Sequence, residues 1–399
     1  MKTSFLTLLF ALSLNLNVAC GGGSALPPTE ETPIEMEGTS SSNTETTGES
    51  SDIPRTKVFA AIVTHNEQRS NTKCRAVLED EEAWHENRAI MVEFVKAIVE
   101  AGGAYDLQTD FSWLEKMREW ETDQERTTTD GKNFLEWVAT SFPGQTTVDP
   151  HNHDSTHNYA DVAYLLSEVG VPDTGVVGGL IWHPVSSQDW ERFRTPLSGL
   201  RYPDKFWKGE ILWGAATHLH MGPDSEATGI WRPQSAESFH EHDPSGDLIY
   251  MGNYINAHFS IGAGEGVQEL LDQVSDNAHP EGVMLTASVF TDQCGMTSEK
   301  VDAIRAMIAR HQTAVDSGDL VWATVPDIIT TWKTDYKSKP YISNEPDLEE
   351  IPASCECAEG QVCCVAPFPC AGQCVTDCRS ADDSCPQETV CSEDDGLCR

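Results

Sequence analysis

The chain has 399 residues and a formal net charge of −38, from 64 acidic against 26 basic side chains. A surface this acidic is repelled by nucleic-acid phosphates and by anionic membrane faces, so neither is an expected partner. Beyond the first twenty residues no apolar stretch approaches the ~18 residues a membrane span needs, so any membrane association has to come through lipid.

At the start of the chain Lys2 precedes an apolar run from Phe5 to Leu16, followed by Val18-Ala19-Cys20 and Gly-Gly-Gly-Ser. This is the layout of a secretory signal peptide over residues 1–20. It resembles a bacterial lipoprotein signal, with Asn17 where that family prefers Leu. The resemblance implies acylation of Cys20, export to the cell envelope and a lipid anchor in the outer membrane of a Gram-negative bacterium. Residues 21–55 are mostly Ser, Thr, Glu, Gly and Pro. Such a segment buries too little to offset its ordering entropy and is expected to be a disordered acidic tether.

From residue 56 to about 340 the pattern alternates between strands and helices. Val58 to Val63 is a continuous apolar run with β-branched residues, as in a strand buried on both faces. Asn87 to Ala101 carries apolar residues at helical spacing and stops at Gly102-Gly103. Ala104 to Gln108 reads as a strand, and Asp110 caps a helix through Trp120. A strand at Thr146 to Val148, a helix at Asn158 to Val169 and a strand at Gly175 to Ile181 follow. Further strands are expected at Glu210 to Ala216, Leu248 to Met251, Gly282 to Val289 and Leu320 to Thr324. Helices are expected over Gly264 to Val274 and Ser298 to Asp316. Alternation of this kind implies an α/β domain with a mainly parallel sheet, either a barrel or a doubly wound sheet. Neither Gly-x-Gly-x-x-Gly nor Gly-x4-Gly-Lys-Ser/Thr occurs, so nucleotide binding has no support.

Ten of the thirteen cysteines fall between Cys355 and Cys398. That density, with Pro and Gly between the cysteines, makes residues 351–399 a disulfide-rich module of an oxidising compartment. Adjacent Cys363 and Cys364 are expected to take different partners, because neighbours bridge each other only with strain. Cys74 and Cys294 remain as a possible cross-domain pair.

Histidines concentrate at two strand ends. Thr64-His65-Asn66-Glu67 follows the first strand, and His151, His153 and His157 lie in DPHNHDSTHNYADVAYLL, after the strand ending near Val148. Active sites of parallel βα domains collect at such carboxyl ends. His153 and His157 are four apart at a helix entrance, a spacing that would stack them on one helical face and present two imidazoles to one metal. Glu67 would complete a three-ligand site for a divalent cation, Zn²⁺ in particular, with an open position for water.

The segment His153-Asp-Ser-Thr-His157 resembles the His-Ser/Thr-x-x-His motif of polysaccharide deacetylases, and Gly229-Ile-Trp-Arg-Pro233 resembles that family's Arg-x-Pro strand. The resemblance spans about residues 57 to 338. It implies a distorted (β/α) barrel of deacetylase type, a carbohydrate substrate and metal-dependent removal of acetyl groups. It places Glu67 at the metal carboxylate, Asn66 at the base position and Arg232 beside the catalytic groups. An amide takes no proton near neutral pH, so the base falls to His65, which could instead be a fourth metal ligand, or to Asp149 or Asp154, with His220 (or its neighbour His218) as acid. A glycoside hydrolase, which needs two carboxylates flanking a bond, and a glycan-binding protein without turnover are the other readings. The expected partner set is a glycan substrate and no nucleic acid, with a monomeric chain.

Overall fold

The computed structural model describes residues 54–66, 72–152, 156–181, 190–215, 227–235, 238–254, 265–292, 296–343, 361–364 and 373–376. The lipidation candidate Cys20, the tether, Cys294 and most of the cysteine-rich tail lie outside them.

The chain begins with strand β1 (Lys57–Asn66), then helices α1 (Thr72–Glu79) and α2 (Glu81–Glu100). Helix α2 starts six residues earlier than its apolar spacing suggests, because the Asp80 carboxylate accepts from Glu82 N and Ala83 N and caps it there. Next come β2 (Tyr105–Thr109), α3 (Phe111–Trp120), the short α4 (Asp123–Arg126), α5 (Phe134–Ser141), β3 (Thr146–Pro150) and α6 (Tyr159–Glu168). Strand β4 (Val176–Ile181) is followed by the small hairpin β5 (Leu197–Ser198) and β6 (Phe206–Trp207), then β7 (Ile211–Ala215), β8 (Ile230–Trp231) and β9 (Ile249–Met251). The last third of the domain holds α7 (Glu265–Ser275), β10 (Met284–Asp292), α8 (Ser298–Arg310), α9 (Gln312–Ser317), β11 (Leu320–Trp322) and α10 (Val325–Thr334). One long helix over Ser298 to Asp316 was expected; it is broken at His311, which is C-cap of α8 and N-cap of α9. In the tail β12 (Gln361–Cys364) pairs antiparallel with β13 (Gln373–Thr376), with Cys363 opposite Cys374.

The strands form an α/β architecture with a parallel central sheet, in the order β10-β1-β2-β3, with β11 also paired to β1. A second sheet has the order β4-β7-β9-β8, in which only β8 runs antiparallel. The two sheets meet at both sides. His151, just past β3, forms a parallel bridge with Gly178 of β4. On the other side Thr286 of β10 donates its N–H to Thr228 Oγ1 at 2.7 Å, and its hydroxyl accepts from Gly229 N at 2.9 Å.

Strand β1 divides the core by its two-residue period. Val58, Ala60 and Ile62 pack with the apolar faces of α2, α3, α7 and α8. Phe59, Ala61 and Val63 face the opposite way, into a cluster with Ile211 and Trp213 of β7, Ile249 of β9, and Ile328 and Trp332 of α10. That inner cluster fills the space between the sheets, and a third cluster with Trp190, Trp207 and Trp231 covers the far face of the second sheet.

A buried ion network fixes α2 to the α3–α5 region. Arg88 Nε donates to Glu121 Oε1 at 2.8 Å, with the two side chains only 2% and 0% exposed. Glu121 also accepts from Phe134 N, at the start of α5, and from Arg126 Nε. Arg88→Ala would leave the Glu121 carboxylate buried with only the half-exposed Arg126 as counter-charge, and is expected to cost about 3 kcal/mol. Urea denaturation of the two chains measures this; a loss below about 1 kcal/mol would show that the network contributes little.

Candidate functional site

Strand β1 is apolar until its last turn, and its inner-facing residue there is His65, fully buried. Its ring is enclosed by aromatic walls: Phe290 of β10 meets it edge-on at 4.6 Å between centroids, and Trp213 of β7 at 5.6 Å. The ring of His151 lies 4.0 Å away, tilted by 32°. Each imidazole is held by an oxygen. His65 Nε2 is 2.8 Å from Gln108 Oε1 on β2, and His151 Nδ1 donates to Gly178 O at 2.9 Å. Gly178 O also accepts from Tyr159 OH of α6 at 2.7 Å.

Strand β4 passes over this pair without side chains. At Gly179 (φ +67°) an added Cβ would lie 2.1 Å from His151 Cε1 and 2.9 Å from His65 Cε1. At Gly178 it would lie 2.7 Å from the Gln108 carboxamide. Any larger residue would displace the rings, so the glycine pair at this point shapes the site.

Below the imidazoles, β2 and β3 present polar residues to the interior. Asp106 accepts from Thr147 Oγ1 at 2.5 Å and from Val325 N, the first residue of α10, at 3.1 Å. Asp149, the register neighbour of Gln108, accepts from Thr174 Oγ1 at 2.6 Å, and its other oxygen has no hydrogen-bond partner. Burial pushes the Asp106 carboxyl up to about 7, against the Thr147 and Val325 hydrogen bonds that favour its charge, with Asp327 adding repulsion. Burial and then repulsion from Asp106 hold Asp149 well above the ordinary carboxylate range, against the Thr174 hydrogen bond. Both shifts run toward the neutral carboxyl.

The residues expected from sequence divide as follows. His65 and Asp149 stand on the inner faces of neighbouring strands. His157 is buried and stacks on Phe111 at 4.3 Å, with Nδ1 3.2 Å from Thr156 Oγ1. It precedes Asn158, the extended N-cap of α6, and so lies outside that helix. Arg232 is not brought to this end. The antiparallel register Ile230↔Met251 and Trp231↔Tyr250 carries it toward the start of β9, whereas His65 is at the finish of β1. There its guanidinium packs over Trp332 of α10, 5.7 Å from the ring, and donates to Gly246 O. Glu67, His153, Asp154 and His220 lie outside the described residues. Among the described residues no three His, Cys, Asp or Glu side chains form a metal-binding group, and no helix is long and apolar enough to cross a membrane.

Gln108, Asp106 and the role of His151 were missed from sequence. The signal for the first two was present: Asp106 and Gln108 alternate within a short strand flanked by apolar residues, where polar side chains on one face indicate a lined interior.

No protein-family model matches the chain, and no curated protein matches it in sequence. Among solved structures it is similar to the crystal structure of a candidate glycoside hydrolase/deacetylase from Parabacteroides distasonis. The TM-score is 0.42 at 11% identity, over 70% of this chain and 71% of that one.

The buried acids give a pH test. An unfolded Asp titrates near pH 4, while folded Asp106 holds its proton to about 7. The folded state therefore binds more protons between these values, and its stability falls as pH rises from about 4 to about 7. Asp106→Asn removes this part of the slope. The variant's melting temperature relative to wild type is expected to be higher at pH 8 than at pH 5, by differential scanning fluorimetry. Parallel curves would refute the assignment.

Proposed function

We propose that the chain is a metal-dependent hydrolase acting on carbohydrate at the carboxyl ends of its parallel strands, by deacetylation of an N- or O-acetylated polysaccharide. The observation that carries this reading is the buried imidazole pair His65–His151, whose rings are each oriented by an oxygen acceptor. Imidazoles held in this way are the usual donors to zinc-like cations. On the same reading the two sheets, joined through His151 and Thr286, make a distorted barrel whose interior is filled by the Phe59–Trp213–Trp332 cluster.

The metal, Zn²⁺ by its donor chemistry, would be held by Glu67, His153 and His157. When bound, such an ion lowers the pKa of water and polarises a carbonyl. The chain's own residues do the rest. Phe290 and Trp213 keep bulk water from the inner face of the site, and Gln108 fixes the orientation of His65. His65 is the described group best suited to take a proton from the attacking water, since Asn66 cannot accept one and burial favours the neutral form of the Asp149 carboxyl. On this reading Arg232 stabilises the opposite end of the domain through Trp332 and takes no part in the chemistry.

A second reading has an observation of its own. Asn66 is fully buried, with neither amide atom hydrogen-bonded to protein, and it stands where the resembled family has its base. This favours glycan binding without turnover.

Zinc content by mass spectrometry and acetate release from an acetylated polysaccharide test both readings on the full chain. His153→Ala and His157→Ala are expected to lose zinc and to reduce acetate release at least tenfold. Equal zinc in all three proteins would overturn the hydrolase. Glycan retention with no acetate released, in the presence of added zinc, would establish the binding reading.

A further inference from the structure

We infer that the segment from Leu197 to Trp207 is a glycan-binding surface outside the candidate catalytic end, for a polysaccharide whose carboxylates are spaced among neutral sugars. This rests on the carbohydrate part of the reading above, and it does not depend on turnover.

The segment is set apart by what it exposes. Leu200 and Phe206 are 57% and 69% exposed, and among the described residues they are the large hydrophobic side chains left in solvent. One such residue on a surface is ordinary, but two on a single short loop call for an explanation. The loop also carries Tyr202, which meets Tyr164 of α6 edge-on at 4.8 Å between ring centroids. Lys205 Nζ lies 4.3 Å from the centre of the Tyr164 ring.

Charge distinguishes the same segment. From Trp190 to Lys208 there are five basic residues and two acidic ones, in a chain with 26 basic against 64 acidic. Arg194 and Lys208 are matched by Asp247, at 3.5 and 2.7 Å. Arg201 and Lys205 are exposed, and among the described residues neither has a carboxylate partner. The ligand therefore has to bring negative charge, but only a little. Charges are screened beyond ~8 Å at physiological ionic strength, so these two cations act on what lies directly against them. A densely charged strand such as nucleic acid would set its remaining phosphates against the rest of so acidic a surface. A glycan with isolated carboxylates meets the two cations through charge-assisted hydrogen bonds. Its neutral rings then lay their apolar C–H faces on Leu200 and Phe206.

The loop is fixed before any ligand arrives. The buried Asp161 carboxylate of α6 accepts from Leu200 N, Arg201 N and Tyr202 N at 2.9, 3.0 and 2.9 Å. Asn158 Nδ2, at the N-cap of the same helix, donates to Ser198 O, and Gly199 N donates to Lys205 O across the base of the loop. At Gly199 a Cβ would lie 2.3 Å from Asp161 Oδ1, so only glycine lets the loop sit this close. A loop already ordered gives up little entropy on binding, which favours recognition over a small area. These hydrogen bonds hold the backbone alone. Folding of the loop therefore does not call for Leu, Arg, Lys and Phe at its exposed positions, whereas binding does.

The test uses the full chain with three probes. They are a hyaluronan oligosaccharide, in which glucuronate alternates with a neutral sugar, a neutral chitin oligosaccharide and polyglutamate. Calorimetry is expected to show hyaluronan binding that raised salt weakens. Phe206→Ser and the double variant Arg201→Ala/Lys205→Ala are each expected to weaken it at least about tenfold, with circular dichroism like that of wild type. Any binding of the chitin oligosaccharide is expected to be the same in wild type and in the double variant. Hyaluronan binding that is absent, or that these substitutions leave unchanged, would overturn the inference. Tighter binding of polyglutamate, lost in the same variants, would also overturn it and assign the surface to an acidic protein. Acetate release by wild type together with unaltered hyaluronan binding in the variants would sink this inference and leave the hydrolase reading intact. Loop-dependent hyaluronan binding with no acetate release by wild type would do the reverse.

Discussion

The structure depends on β1 being buried on both faces and paired on both edges. One edge runs against β10 from Lys57 to His65. The other is shared, with β11 against Val58 to Ala60 and β2 against Ile62 to Asn66. Every backbone donor and acceptor in such a strand has to be satisfied by neighbouring strands, and every side chain has to be accommodated in a core. That explains the unbroken apolar run Val58-Phe-Ala-Ala-Ile-Val63. It also explains why Thr64, His65 and Asn66 come only at the end, where the loops begin. The location of the candidate site follows from where β1 can first carry polar side chains.

The interior next to β1 is uneven in polarity. β1, β7 and β9 supply Phe59, Val63, Ile211, Trp213 and Ile249, whereas β2 and β3 supply Asp106, Gln108, Thr147 and Asp149. Burying two carboxyls is unfavourable unless they are neutral or well hydrogen-bonded. Here both conditions are partly met. Asp106 takes hydrogen bonds from Thr147 and from the start of α10, a segment 219 residues away in sequence. Asp149 is tied to Thr174 just before β4. The polar side of the interior therefore connects the first sheet to the last helix and to the second sheet through hydrogen bonds that the two carboxyls accept.

Much of this was legible in the sequence, and what was not has physical causes. β1, the body of α2, α3 and α6 follow from apolar spacing and, for α3, from the cap at Asp110, because these signals are local, whereas the start of α2 at Asp80 was not read. The division into two sheets was not legible, since strand–helix alternation does not state which strands pair. The reversal of β8 was equally hidden, and it places Arg232 at the end of the domain away from His65 although its motif resembles a catalytic one. For the candidate site, histidines at two strand ends drew attention to the carboxyl ends of β1 and β3, where His65 and His151 meet. The pairing of His65 with His151 depends on the β2 strand between them and on two glycines from β4. No local pattern reveals a contact of that kind.

The chemistry of the donors matters because of the charge of the chain. A net charge of −38 raises the local concentration of every cation, and the abundant ones are hard ions that prefer oxygen ligands. A site made of carboxylates alone would compete poorly against the rest of so acidic a surface and would hold calcium or magnesium as readily as a catalytic metal. Imidazole nitrogen changes the selection, since it favours zinc and its neighbours over those ions.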